Sequence, residues 1–372
     1  MDSARSITRR AILLGGASAL MTAGLPLRNA YAVSQLVVGA LYVGPKNDFG
    51  WNQAHAEGIA VLKNLDKVKV VEEERVPETT EVSKSMESMI HLDGAEMIFC
   101  TSFGYWPYML KEAAKNPKVQ FLHGAPTIWK DGMPANAGSY NGYIDEAQYI
   151  SGIIAGHVSK SGKLGFVAAK PYPGSLRNIN AFTLGARSVN PNATTQVIFT
   201  GDWVLPVKEA ESVNTLADQG IEVVTCHVDS PKVVVETAEK RGIFSCGYHM
   251  NQAPLAPKGY LTGAEWNWQK IYRDYVTWLR EGKSWPHNLR GGLKEGIVRN
   301  SPYGPAVPQK ARNNADAMLK QFRGGGFSVF KGPMKTNEGK LVIPSGKQYP
   351  ITDVWLDKMD WLVEGVKGST KA

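Results

Sequence analysis

Two successive runs of alternating β-like and helical segments are the feature that most constrains the fold of this 372-residue chain. In the first run, apolar segments such as Leu36–Leu41 and Met97–Cys100 alternate with amphipathic helical segments up to residue 122. The alternation restarts near residue 146 and continues to a strand at 243–247. Repeated β–α units form parallel sheets covered by helices on both faces, so their strands are almost wholly apolar. The sequence therefore predicts an α/β protein with two doubly wound lobes.

The order of these units predicts how the chain is divided. A length of 372 residues is consistent with two domains. The stretch after residue 290 is rich in Gly, Pro and irregular β segments, which suits a tail that crosses back over the hinge. The expected parts are a cleaved signal at 1–32, a first lobe at 33–148 plus about 253–290, a second lobe at 149–252 plus about 291–320, and a C-terminal segment at 321–372 that braces the hinge and both lobes.

The N-terminus has the pattern of an export signal of the twin-arginine type. Arg9-Arg10 directly precedes an apolar run that ends near Leu25, and Ala30-Tyr31-Ala32 forms a small-x-small cleavage site. A membrane anchor is the alternative, but the run is Gly/Ala-rich and shorter than the roughly 20 residues that a spanning helix needs. No Cys follows the run, so we expect a periplasmic protein that is not lipidated.

The overall composition is that of an ordinary globular protein. Hydrophobic residues make up 43% of the chain and charged residues 20%, and the formal net charge of +8 is not gathered into a basic stripe. We therefore expect no nucleic-acid partner. Cys100, Cys226 and Cys246 each end an apolar β-like run, which favours buried packing, although a Cys226–Cys246 bridge is the open alternative.

The loops that follow the predicted strands are unusually rich in aromatic and amide side chains. In open parallel sheets ligands bind outside the carboxyl ends of the strands, so two facing lobes make one cleft lined by these loops. Aromatic faces and amide groups suit a planar heteroaromatic ligand, although such aromatics also serve merely to cap strand ends. The candidate ligand contacts are Asp48, Trp51, Asn52, Phe103, Tyr105, Asp145, Trp203, His249, Asn251 and Trp266.

Catalytic and metal-binding patterns are missing from the sequence. It contains neither a GxxxxGK[ST] loop nor an HExxH motif, and no Cys and His stand at metal-ligand spacing. Only Asp48, Asp145 and Asp202 are candidates for a carboxylate cluster in the cleft, and Asp145 also suits a helix N-terminus. We therefore expect a binding protein that needs no cofactor or metal, rather than an enzyme such as a nucleoside hydrolase.

Six short pieces in combination resemble one known family. The pieces are Asn47-Asp48-x-x-Trp51-Asn52-Gln53, Glu146-Ala147-Gln148-Tyr149-Ile150-Ser151-Gly152, Lys163-Leu164-Gly165-Phe166-Val167, Asn180-Ala181-Phe182 with Gly185-Ala186, Gly201-Asp202-Trp203, and Gly247-Tyr248-His249-Met250-Asn251-Gln252. They span most of the chain after the signal. They resemble the basic membrane protein family of substrate-binding lipoproteins, which includes the purine nucleoside receptors of ABC importers.

The resemblance implies a type I periplasmic-binding fold, with two Rossmann-like lobes and three hinge crossings. It also implies that a purine ring is stacked between the lobes. By position, Trp51 and Trp203 would carry the stacking, and Asn52 would hydrogen-bond the edge of the base.

The departures from the family pattern concern the groups that bind a sugar. His249 stands where the family has an Asp for the ribose hydroxyls, Asn251 replaces its second Asp, and Trp266 replaces a Lys. A site without such groups leaves a ribose unpaired. We therefore expect a free purine-type base as ligand, with nucleoside binding as the alternative.

The expected partners of the protein follow from this reading. They are a purine base or nucleoside and an ABC permease in the inner membrane, and the protein itself is expected to be a monomer. A module that senses the ligand for a membrane receptor is the competing interpretation.

Overall fold

A computed structural model describes residues 35–371, so the expected signal at 1–32 lies outside the described residues. The strands are β1 (Leu36–Leu41), β2 (Val68–Glu73), β3 (Met97–Cys100), β4 (Gln120–Gly124), β5 (Ala137–Gly142), β6 (Lys163–Ala168), β7 (Thr194–Phe199), β8 (Val223–His227), β9 (Phe244–His249), β10 (Tyr260–Trp266), β11 (Asn288–Gly291), β12 (Val298–Asn300), β13 (Phe330–Lys331), β14 (Met334–Lys335), β15 (Leu341–Ile343), β16 (Gln348–Tyr349) and β17 (Val366–Lys367).

Helices alternate with these strands through most of the described chain. They are α1 (Trp51–Ala60), α2 (Glu81–His91), α3 (Trp106–Lys115), α4 (Asp145–Val158), α5 (Pro173–Arg187), α6 (Pro206–Asp218), α7 (Lys232–Arg241), α8 (Trp268–Arg280) and α9 (Gln309–Arg323). The predicted β–α alternation is confirmed up to β9, with boundaries that shift by one or two residues.

Each lobe is built on its own sheet. The first lobe has six parallel strands in the order β11-β5-β4-β3-β1-β2. The second has seven in the order β12-β10-β9-β8-β6-β7-β17, and only β12 runs antiparallel to its neighbour. All six residues of β1 are buried, as expected for a strand covered on both faces. The predicted α/β fold with two parallel-sheet lobes is therefore confirmed.

The chain crosses between the two sheets three times within residues 35–371. The crossings follow β5, β10 and β11, at residues 143–144, Asn267 and 292–297. This differs from the expectation that residues 253–290 all lie with the first lobe. Strand β10 pairs with β9 in the second sheet, and only the part from α8 onward joins the first lobe. Residues 250–259, which connect β9 to β10, form a crossover between parallel neighbours and therefore stay within the second lobe.

Helix α8 carries the first lobe's aromatic core. Its buried residues recur at helical spacing on one face: Trp268, Ile271, Tyr272, Tyr275 and Val276. This face packs against α1, where a Cβ at Gly58 would lie 2.7 Å from the Cβ of Trp268. The close packing fixes α1, and with it the residues at the start of α1 that face the second lobe.

The C-terminal segment packs on α5 of the second lobe. Strand β17 extends that lobe's sheet beside β7, and the Asn180 side chain accepts a hydrogen bond from the Val363 backbone at 2.8 Å. Arg177 joins Asp357 of this segment, at 3.0 Å, to Asp145 at the start of α4, at 2.9 Å. The bracing of both lobes by residues 321–372 stays a prediction.

All three cysteines are buried and free, so the packing interpretation is confirmed and the Cys226–Cys246 bridge is not formed. Among residues 35–371, no helix is both long enough and apolar enough to cross a bilayer.

Candidate functional site

The two lobes meet where a loop of each faces the other. The first-lobe loop comprises residues 42–53, between β1 and the first turn of α1, and the second-lobe loop comprises residues 228–231, between β8 and α7. The Trp51 backbone donates a hydrogen bond to the Asp229 carbonyl at 2.9 Å. The Ser230 hydroxyl donates to the Asp48 carbonyl, also at 2.9 Å. The lobes are thus in direct contact across the cleft.

Gly50 makes this close approach sterically feasible. A Cβ at this position would lie 1.9 Å from the Asp229 carbonyl oxygen, a distance that real side chains cannot adopt. A side-chain amide adds a third link, since Gln252 donates to the Phe49 carbonyl at 2.7 Å. Any larger residue at position 50 would push the two loops apart.

The two tryptophans expected to stack on a ligand are both hydrogen-bonded to the same residue. The Asp229 backbone donates to the Trp203 carbonyl at 2.9 Å, while its own carbonyl accepts from Trp51. Both indoles are half-buried. Trp203 has the ring of Tyr172 edge-on, with a centroid distance of 5.3 Å. The backbones of Trp51, from the first lobe, and Trp203, from the second, are thus both bonded to Asp229 of the second lobe.

The Trp51 indole is held in a fixed orientation by polar and aromatic contacts. Its Nε1 donates to the Thr101 carbonyl at 2.7 Å. The rings of His249 and Trp266 lie edge-on to it, with centroid distances of 5.5 and 5.8 Å. Trp266 in turn stacks on Trp268 at 4.7 Å with an interplanar angle of 14°. Trp51 and Trp268 of the first lobe thus form one aromatic wall with His249 and Trp266 of the second lobe.

His249 and Trp266, which the sequence resemblance placed at sugar-binding positions, are hydrogen-bonded to each other. Trp266 Nε1 donates to His249 Nδ1 at 2.8 Å, and His249 Nε2 donates to the Val228 carbonyl at 3.0 Å. Burial holds the pKa of His249 well below its ordinary value, so the ring is neutral. Both ring nitrogens are used, and these bonds hold His249 at a left-handed φ of 74°.

Asp48 and Asn52 organise the first-lobe loop. The Asp48 carboxylate accepts from the Gly50 and Gln53 backbones and from the backbone and side chain of Asn52, at 2.8–3.1 Å. Asn52 Oδ1 accepts from the Gly44 backbone at 3.0 Å. Both ends of the Asn52 amide are engaged inside the loop, so only one N–H and one lone pair are left for a ligand.

Two aromatics that the sequence placed in the cleft lie elsewhere. Tyr105 is fully buried inside the first lobe, where its hydroxyl donates to the Val76 carbonyl at 2.6 Å. Phe103 is 68% exposed. A short turn of helix at 103–105 directs one residue inward and the other outward, so neither joins Trp51 and Trp203.

Asp145 is held in an ion pair, and Asn251 fixes the local backbone. Asp145 is buried at the first position of α4 and paired with Arg177. The carboxylate at a helix N-terminus was expected, but the salt bridge leaves it no free face toward the cleft. The Asn251 side chain accepts from the Ala253 backbone at 2.9 Å and so caps a short turn.

The sequence analysis missed the acidic residue that lies between the two tryptophans. Asp229 follows β8 by two residues, and its carboxylate has no hydrogen-bond donor among residues 35–371. Burial, followed by the nearby carboxylates of Asp48 and Glu78, raises its pKa to about 7. A carboxylate directly after a buried strand, at the carboxyl end of a parallel sheet, was the available signal.

A second missed group forms the floor beside Trp203. His227, the last residue of β8, is bonded through Nε2 to the hydroxyls of Tyr172 and Tyr248 at 3.3 and 3.2 Å. Its Nδ1 meets the Asn178 amide at 2.8 Å. Burial lowers the pKa of His227 to about 3, so this ring is also neutral. Within residues 35–371, no group of three His, Cys, Asp or Glu side chains is placed to hold a metal ion.

Comparison with known proteins identifies the family. A family model described as ABC transporter substrate-binding protein PnrA-like matches residues 35–323. The chain belongs to this family. A purine-binding protein of Brucella abortus is 33% identical over 339 residues, covering 91% of this chain and 94% of the relative. A Haloferax volcanii protein, provisionally named as an ABC transporter glucose-binding protein, is 30% identical over 88% of this chain and 79% of its own length.

A solved structure gives the same result for the fold. A solute-binding protein of an ABC transporter system from Conexibacter woesei superposes with a TM-score of 0.68 at 19% identity, covering 78% of this chain and 97% of its own. PnrA-like proteins are non-enzymatic transport components that bind a small ligand and deliver it to a permease, typically outside the cytoplasmic membrane. The predicted family, fold class and non-enzymatic role are therefore confirmed.

Proposed function

We propose that this PnrA-like protein captures a free purine-type base between its lobes, with Trp51 on one side and Trp203 on the other. The observation that carries the proposal is that the backbones of both tryptophans, one from each lobe, are hydrogen-bonded to the backbone of Asp229. Stacking of a base on an aromatic face contributes about 1–3 kcal/mol. Two indoles on opposite sides of the base would supply this twice.

The preference for a base over a nucleoside rests on His249 and Trp266. Their polar atoms bond to each other and to the Val228 carbonyl, so they offer no free acceptor to ribose hydroxyls. A ribose placed against them would lose its bonds to water without replacement, at a cost of about 1–3 kcal/mol per unpaired group. The ring of Trp266 is also rigid, whereas a lysine side chain at this position could bend away from a ribose.

Two relatives point to different ligands. The Brucella abortus relative is named as purine-binding, which supports a purine. The name of the Haloferax volcanii relative mentions glucose, which makes a sugar the competing ligand class. Sugars bind between aromatic faces too, but they need many polar partners, and the side chains of Asp48, Asn52 and His249 are already engaged.

The cellular setting forms part of the same proposal. We infer export by the twin-arginine pathway, cleavage after Ala32 and a monomeric, non-lipidated protein in the periplasm that meets an ABC permease of the inner membrane. Closure of the lobes on the ligand would present a joined surface to that permease.

A thermal-shift screen of residues 33–372 tests the ligand class. The set contains adenine, guanine, hypoxanthine, xanthine, the matching nucleosides and glucose. A ligand that binds only the folded state raises the melting temperature by mass action. We expect a shift with at least one base and none with its nucleoside. A shift with nucleosides would contradict the exclusion of ribose, and a shift with glucose alone would contradict the purine assignment.

A further inference from the structure

Asp229 is the only titratable residue of the second-lobe loop (residues 228–231). Its backbone N–H and carbonyl are both used, by Trp203 and Trp51 at 2.9 Å each. No described side chain or backbone group donates to its carboxylate. The main chain of this residue is therefore fixed, while its side chain keeps its full hydrogen-bonding capacity.

After burial, four carboxylates raise the pKa of Asp229: Asp48 in the first-lobe loop, Glu78 after β2, Glu209 in α6 and Asp202 after β7. Asp202 is itself paired with Lys170 at 2.9 Å, so the other three supply most of this negative field. This field favours ligand groups that carry partial positive charge and opposes carbonyl oxygens or phosphates turned toward the same point. A ligand that fits here must present N–H groups to Asp229.

We propose that Asp229 is the residue that selects the bound base, by accepting two adjacent N–H groups of a guanine-type ligand. The inference rests on the proposed function, because it needs a purine between Trp51 and Trp203. It assigns to the second lobe the polar recognition that the sequence placed on Asn52.

The chemistry of the base edges makes the choice specific. In its ionised form, which prevails above pH 7 because burial raises the pKa of Asp229 to about 7, the carboxylate only accepts hydrogen bonds. Its two oxygens then match two parallel donors in a bidentate pair. Guanine has such a pair, N1–H and the 2-amino group. Adenine has a donor beside an acceptor on each of its edges, so one carboxylate oxygen would face a lone pair. Hypoxanthine offers N1–H without the neighbouring amino group, and its affinity should lie between the two.

The test is equilibrium dialysis of residues 33–372 against radiolabelled guanine and adenine. The wild-type protein should bind guanine at least tenfold more tightly than adenine. Asp229→Asn replaces one acceptor by a donor and keeps the shape of the side chain. An Asn amide can pair its donor and its acceptor with adenine. This variant should therefore bind guanine at least tenfold more weakly than the wild-type protein and should prefer adenine. Asp229→Ala should lose affinity for guanine without gaining affinity for adenine.

A matched control removes the same charge elsewhere. Asp218→Asn changes an exposed carboxylate that pairs with Arg241 on the outer surface, and should leave both affinities unchanged. If the wild-type protein binds both bases and Asp229→Asn keeps the same preference, the inference is overturned while the proposed function stands. If the wild-type protein binds neither guanine nor adenine, the inference is overturned, and the proposed function also fails only if the thermal-shift screen shows no response to hypoxanthine or xanthine.

Discussion

The two loops that meet in the cleft differ in how they use their polar groups. In the first-lobe loop (residues 42–53), the Asp48 carboxylate accepts four hydrogen bonds and the Asn52 amide is engaged at both ends. In the second-lobe loop (residues 228–231), the Asp229 carboxylate accepts none from residues 35–371. The first loop carries Trp51 and the second is bonded to Trp203 through the Asp229 backbone, but only the second leaves a carboxyl group without a donor among the described residues.

This difference suggests a division of labour between the lobes. A loop with satisfied polar groups is rigid and holds Trp51 in place before a ligand arrives, which lowers the entropic cost of binding. A loop with an unpaired carboxylate carries an uncompensated desolvation cost in the absence of ligand. It gains the most free energy when a ligand supplies a hydrogen-bond donor. We therefore expect the first lobe to set affinity by stacking and the second to set specificity.

Removing an indole should have the largest effect. Trp203→Ala and Trp51→Ala each delete one stacking face, and a loss of about 1–3 kcal/mol corresponds to a roughly 5- to 150-fold weaker affinity for the bound base in calorimetry. Trp355→Ala is the control, because this residue stacks on Tyr349 in the C-terminal segment and should leave the affinity intact. Wild-type affinity in Trp203→Ala would defeat the stacking assignment.

Breaking the network of the first-lobe loop should mainly reduce stability. Asp48→Ala removes the acceptor of four hydrogen bonds near the start of α1, and we expect the free energy of unfolding in urea to fall by about 2 kcal/mol. Asn47→Ala changes the exposed neighbour and should be close to neutral. Equal stability of the two variants would mean that the loop is not organised by Asp48.

The free carboxylate of the second lobe should appear in the pH dependence of stability. The pKa of Asp229 is raised from 3.8 to about 7, so between these pH values the native protein holds a proton that the unfolded chain has lost. Its contribution to stability is therefore present below pH 4 and is lost as pH rises through 7.

A comparison with Asp229→Asn isolates this effect. The stability of the wild-type protein relative to the variant should fall by about 1–2 kcal/mol between pH 4 and pH 8, less than the full shift implies because opening of the lobes returns the carboxylate to water. Glu146, whose pKa burial also raises to about 7, is present in both proteins and cancels. A constant difference across this range would mean that Asp229 is solvated in the free protein.

The smallest effect is expected at the hinge side of the aromatic wall. Trp266→Phe keeps an aromatic ring beside Trp51 but removes the donor to His249 Nδ1, and should cost about 1 kcal/mol of stability or less with little change in affinity for the base. Newly acquired binding of guanosine would show that the His249–Trp266 bond is what excludes ribose.

The sequence was sufficient to predict the fold because most of the strands can be recognised in it as apolar runs. Runs such as Leu36–Leu41 and Leu164–Ala168 are buried on both faces and form continuous apolar segments. Strand β5, with the sequence AGSYNG, was missed because it lacks the branched apolar residues typical of strands. It becomes a strand through its parallel neighbours on both sides, β4 and β11, which only the tertiary structure supplies.

The site was predictable in its aromatic part and less so in its polar part. Trp51 and Trp203 could be proposed from the sequence because each lies in a loop that follows a strand. This position alone places both residues at the edge of a lobe. The roles of Asn52 and Tyr105 depend on which partners their polar atoms find nearby, at Gly44 and Val76, and no local pattern records this. Asp229 was overlooked because a single carboxylate in a short loop has no motif.

The central claim is that a purine base lies between Trp51 and Trp203, and its most direct test is a crystal structure of residues 33–372 grown with guanine. We predict a base stacked between the two indoles, with its N1–H and 2-amino group directed at the Asp229 carboxylate. A base bound elsewhere, or a cleft in which Trp51 and Trp203 contact no ligand while guanine is bound, would contradict the account.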